Sequence, residues 1–87
     1  MNLGKVTGFL WASAKHDSLM GAKLLIVSLV DNKGQYGGQY EVAIDTVDAG
    51  IGDVVLTVKG SSAKMMPRTE KATIDCAIVG VVDHVEQ

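Results

Sequence analysis

The stretch Asp45-Thr-Val-Asp-Ala-Gly-Ile-Gly-Asp-Val-Val-Leu-Thr-Val-Lys-Gly60 decides how this chain is read. Gly50 and Gly52, spaced by one residue, invite comparison with a phosphate-cradling loop. A dinucleotide site needs a third glycine and then a helix whose N-terminus holds the pyrophosphate. Here the glycines lead into Asp53-Val-Val-Leu-Thr-Val-Lys59, rich in β-branched residues, which predicts a strand. Asp53 would also repel a phosphate. Gly50–Gly52 therefore reads as a tight turn that uses glycine's backbone freedom, and the chain reads as all-β rather than α/β.

Working back from that loop, Tyr40 to Asp45 predicts a strand with Tyr40, Val42 and Ile44 on one face. Gln35 to Gln39, with Gly37 and Gly38, reads as a flexible hairpin loop, and Asp31-Asn-Lys-Gly34 as its turn, with Gly34 suited to a positive φ. Lys23 to Val30 predicts a strand covered on both sides, since only Lys23 and Ser28 interrupt its apolar run. The first strand is expected over Asn2 to Ser13. Gly4, Val6, Gly8, Leu10 and Ala12 lie on one face, and Leu3, Lys5, Thr7, Phe9 and Trp11 on the other. Glycines at alternate positions predict the sharp curvature of a small closed barrel. Forward of the opening stretch, Gly60 ends a strand and Ser61 or Ser62 caps one short helical turn through Met66. Pro67 stops that turn, Arg68 to Ala72 links, and a last apolar strand covers Thr73 to Val85. Four or five strands and one short helix in this order fit a five-stranded barrel of the oligonucleotide/oligosaccharide-binding (OB) type. The expectation is one domain over residues 1–87, all-β with small α content. No internal repeat or low-complexity segment interrupts it.

Composition narrows the function classes. The 87 residues carry a net charge of −2, and 47% are hydrophobic; the mean hydropathy is +0.22 and the pI about 5.5. A chain this short buries only roughly 60–65% of its unfolded surface, and association stabilises such a fold by mass action. So apolar a composition predicts surface that meets another subunit, with an unusually well-filled core as the other account. The acidic balance argues against nucleic acid and against an anionic membrane. The longest apolar run, Leu24 to Val30, is far short of the ~18–20 residues of a membrane span. The N-terminus shows no charged region followed by an apolar one, and the single Cys76 cannot form an internal disulfide, so a cytosolic chain is expected.

No constellation for chemistry stands out. His16-Asp17 and Asp83-His84 each pair a histidine with an aspartate, but a metal site needs three or four ligands brought together, and adjacent strand residues point to opposite faces. There is no nucleophile elbow. Gly60-Ser-Ser-Ala-Lys64 lacks the spacing of a phosphate loop and reads as a helix cap. Cys76 reads as a small buried hydrophobe. Met65 and Met66 fit a helix plugging a barrel end or a soft contact surface. Catalytic, cofactor and metal residues are therefore expected to be none. Phe9 and Trp11, at i and i+2, either cap the barrel or form a subunit contact, where aromatics are enriched.

Four ordered segments carry a resemblance: Gly4-Lys-Val-Thr-Gly8, Asp45-Thr-Val with Ala49-Gly-Ile-Gly-Asp53, Gly60-Ser-Ser-Ala63, and Asp75-Cys-Ala-Ile-Val-Gly80. Gly21-Ala-Lys-Leu-Leu25 adds to it. Together they resemble the shell-vertex proteins of bacterial microcompartments, the carboxysome and ethanolamine-utilisation vertex family. The chain departs at Asp48, where that family usually has glycine, and at Cys76, where it often has alanine. The resemblance implies an OB-like barrel and a structural, non-enzymatic role. It further implies a pentameric ring, with a hexamer also open, at a five-fold corner of a microcompartment shell whose facets are hexameric proteins. A ring of this kind is closed by one head-to-tail contact. Phe9, Trp11 and the loop Ala49, Gly50, Ile51, Gly52 and Asp53 are its candidate contact residues. The rival is an OB module that binds nucleic acid or a small ligand, which would set exposed aromatics among lysines and arginines on one face.

Overall fold

Antiparallel pairing of apolar, β-branched segments builds the wall of this protein. The computed structural model describes residues 1–10, 21–60 and 75–84. Five strands run in chain order: β1 Asn2–Phe9, β2 Leu24–Val30, β3 Tyr36–Asp45, β4 Val54–Lys59 and β5 Cys76–Val81. They close in the order β1-β2-β3-β5-β4. The seam between β3 and β5 is parallel, through Ile44–Ala77 and Asp45–Ile78; β4 pairs antiparallel with both β1 and β5. This is the expected OB-like five-stranded barrel, and full closure leaves no open sheet to aggregate. The expected helical turn over Ser61–Met66 lies outside the described residues, and so does Trp11.

Inward positions alternate as the pleat demands. Val6, Leu25, Val27, Ala43, Val55, Cys76 and Ile78 form one core, and Ala49 joins it from the loop before β4. The double apolar character of β2 is also used: Leu24 packs outside the barrel with Ile44, Ala22 and Val42.

Two expectations need correction. Gln35 to Gln39 is not all loop. Asp31 Oδ1 accepts from the Lys33 and Gln35 backbone N–H groups at 2.8 and 3.0 Å, and Gly34 N–H donates to Asp31 O at 3.0 Å. The turn therefore closes within Asn32–Gly34, and Tyr36 already pairs with Val30. The glycines instead serve a bulge: the register slips between Ser28 and Val30, and Gly38 takes φ +84. The second correction concerns β1. A bulge between Val6 and Gly8 sets Gly8 opposite Ile26 and Phe9 opposite Leu25. One extra residue reverses the alternation beyond it, so Phe9 does not share the face of Lys5.

Curvature depends on Gly4 more than on Gly8. A methyl group at Gly4 would overlap Val27 Cγ1, a fully buried and β-branched neighbour, and would stand 3.1 Å from the Ser28 carbonyl oxygen. At Gly8 it would meet Ile26 Cδ1 at an ordinary 3.5 Å. Overpacking a closed core costs about 1–3 kcal/mol. Gly4→Ala is expected to lower stability by that amount in thermal or denaturant unfolding, while Gly8→Ala stays within about 1 kcal/mol of the parent.

Candidate subunit interface

The loop between β3 and β4 is held by a carboxylate that the barrel itself buries. The Asp45 side chain is fully buried. Its Oδ1 accepts from Val47 N–H at 3.0 Å and its Oδ2 from Ala49 N–H at 2.8 Å. Lys23, just before β2, reaches the same Oδ2 at 3.3 Å, donates to the Ala49 carbonyl at 2.7 Å and meets Asp48 Oδ1 at 3.3 Å. At the far side of the loop, Asp53 Oδ2 accepts from Gly50 N–H at 2.8 Å. Gly52 N–H donates to Val6 O, and Val6 N–H to Asp53 O, both at 2.9 Å. Thr46 Oγ1 donates to Ile78 O at 2.6 Å. Loss of water disfavours the Lys23 ammonium, yet the hydrogen bonds and charges of Asp48 and Asp45 outweigh it and raise its pKa.

Asp48 and Gly52 sit in the left-handed region, at φ +57 and +94. That region suits glycine, and aspartate is among the few other residues that tolerate it. Gly50 does not take a positive φ; of the two loop glycines, only Gly52 uses that freedom.

The candidate contact residues divide by exposure. Ile51 is 59% exposed and Phe9 43%, and Gly52 is exposed beside Ile51. Ala49 is wholly buried and anchors the loop instead of presenting it. Gly50 and Asp53 are half-buried and bonded to each other. Lys23 ties the two groups together: its ammonium lies 5.8 Å from the Phe9 ring centre while it bonds Ala49. Reading the sequence missed Lys23 and Asp45. The available signal was a lone lysine opening an apolar strand, at the level of an aspartate that precedes a Gly-x-Gly turn.

A second buried polar group, also missed, lies where β1, β3 and β5 meet. Glu41 is 9% exposed. It accepts from Asn2 Nδ2 at 2.7 Å and from Cys76 Sγ at 2.8 Å. Burial, reinforced by that carboxylate, pushes the Cys76 thiol from the ordinary 9.0 up to about 12, so it is no nucleophile. Among the described residues no group of three or more histidine, cysteine or acidic side chains could hold a metal. Because the folded state keeps the thiol proton longer, this contribution to stability is complete below about pH 9 and is lost as pH rises from about 9 to about 12. At pH 8 Cys76 should react with a thiol reagent at least about 100-fold more slowly in the native protein than in denaturant; equal rates would contradict its burial.

Residues 1–83 match the family described as ethanolamine utilisation protein EutN/carboxysome. The bacterial microcompartment shell vertex protein EutN of Salmonella typhimurium is 42% identical over 85 residues, which cover 98% of this chain and 86% of that protein. The structure of Gloeobacter violaceus CcmL superposes with a TM-score of 0.94 at 39% identity, covering 100% of this chain and 90% of that one. GrpN, a pentameric microcompartment shell protein from Rhodospirillum rubrum, superposes with a TM-score of 0.89 at 44% identity, covering 100% and 99%. A closed OB-like barrel and likeness over nearly the whole length agree: this chain belongs to the EutN/CcmL family of microcompartment proteins.

Proposed function

We propose that this protein is a structural shell subunit, five copies of which form a ring that caps a five-fold vertex of a bacterial microcompartment. The observation that carries this reading is the match to the pentameric GrpN, at a TM-score of 0.89 over essentially both chains. The physical features agree with it. Glu41 is satisfied by Asn2 and Cys76, the thiol is held protonated, and Thr57 Oγ1 is a buried hydroxyl without a hydrogen-bond partner among the described residues. What the chain presents outward is shape: a fixed loop with an exposed Ile51, beside an exposed Phe9.

A flat sheet of hexagonal tiles cannot close; five-fold positions introduce the curvature that shuts it. In this reading the ring's outer edge meets hexameric shell proteins, and the assembly lies in the cytoplasm as part of the shell. Residues 1–87 act as a single domain with no catalytic, cofactor or metal role. Phe9, Trp11, Ile51 and Gly52 contribute to contacts between subunits, with Ala49, Gly50 and Asp53 holding the loop in shape.

Native mass spectrometry of the purified chain tests the assembly. The expected mass is close to five times 9.2 kDa. A chain that stays monomeric at micromolar concentration would overturn the reading and bring the OB binding module forward.

A further inference from the structure

A head-to-tail ring needs two different, mutually complementary patches on one chain, and this chain carries such a pair. The first is on the outer wall of the barrel. Val54, Lys5, Ser28 and Tyr40 stand opposite one another across four adjacent strands, and so share a face. Leu3 and Val30 flank that row and, with Lys5, Lys33 and Val54, line a hollow of about 420 Å³. Tyr40 is 69% exposed. The charges lining the hollow are two lysines; Asp31, in the adjoining turn, is engaged by the Lys33 and Gln35 backbone N–H groups. The hollow's apolar floor is the half-buried Leu3, Val30 and Val54, and its rim is Lys5, Asn32, Lys33 and Gly34.

The second patch is the loop from Val47 to Asp53. It presents Val47 and Ile51 as exposed apolar tips, and its outward charge is Asp48, whose side chain is 97% exposed and meets Lys23 at 3.3 Å; Asp53 is half-buried and accepts from Gly50 N–H. The loop starts from the Phe9–Lys23–Asp45 end of the barrel, whereas the hollow opens beside the Asp31–Gly34 turn at the other end. The first residues of the loop, Val47 and Asp48, therefore stand away from the hollow, while its last, Asp53, runs directly into Val54, which lines the hollow. We propose that in the ring the Val47–Asp53 loop of one copy seats its apolar tips in the Leu3–Val30–Val54 hollow of the next copy, with Lys5 and Lys33 facing Asp48. The occupant of the hollow is thus a second copy of this chain. The proposal rests on the ring reading above.

Zero-length carbodiimide coupling on wild-type rings assembled from a mixture of isotopically light and heavy chains tests the pairing. Lys23 and Asp48 of one chain, 3.3 Å apart, supply an internal control link. The expected result is a mixed light–heavy peptide joining Lys5 or Lys33 to Asp48. Lys5→Glu should raise the concentration at which the ring half-dissociates by at least about tenfold. A pentamer that forms the control link but no link from Lys5 or Lys33 to the loop overturns the pairing alone. So does a Lys5→Glu variant that folds, by circular dichroism, and assembles like the wild type. A wild-type chain that is monomeric overturns the ring, and the pairing with it.

Discussion

The carboxylate of Asp45 is the constraint on which the functional surface depends. It is fully out of water, and its oxygens are taken up by the Val47 and Ala49 amides and the Lys23 ammonium. Lys23 keeps 38% of its side chain exposed, so the larger cost of removing the carboxylate falls on the part-buried Ala49 amide that it satisfies. Once Ala49 is fixed in the core, the chain on either side has little freedom. Asp53 closes the turn back on Gly50, and Gly52 extends the β1 ladder at Val6. A segment rich in glycine and aspartate thus becomes a rigid projection, at the conformational cost of a left-handed Asp48.

The barrel serves that loop by being small and closed. Five short strands enclose a core of valine, leucine, isoleucine and alanine side chains, and so tight a curve needs a residue without a side chain where β1 approaches Val27. The bulge after Val6 turns the end of β1 so that Phe9 comes to the Lys23 ammonium. Closure therefore also fixes where an exposed aromatic stands relative to the loop. Contact shape follows from packing, which is what a shell component requires.

Much of this was legible in the chain. Apolar and β-branched runs located all five strands, although the last was extended to Val85 and β5 ends at Val81, and Asp53-Val-Val-Leu56 after Gly52 excluded a dinucleotide loop. The misses have physical causes. A bulge leaves no periodic trace, so the face of Phe9 was read wrongly, and Gly37–Gly38 looked like a loop although the Asp31 turn had already closed the hairpin. The anchoring role of Asp45 and Lys23 comes from residues 22 positions apart, which no local pattern displays. Glu41 looked like an ordinary polar strand position, because the Asn2 and Cys76 groups that satisfy it come from other strands.

The account's central claim is that the Asp45–Asp53 loop is preformed by the barrel and is not shaped by its neighbours. Hydrogen exchange of its backbone amides, measured under conditions where the chain is dissociated, tests this most directly. The prediction is that Ala49, Gly50 and Gly52, whose N–H groups bond Asp45, Asp53 and Val6, are protected to within about tenfold of the β2 core amides. Exchange at the rate of an unstructured peptide would contradict it.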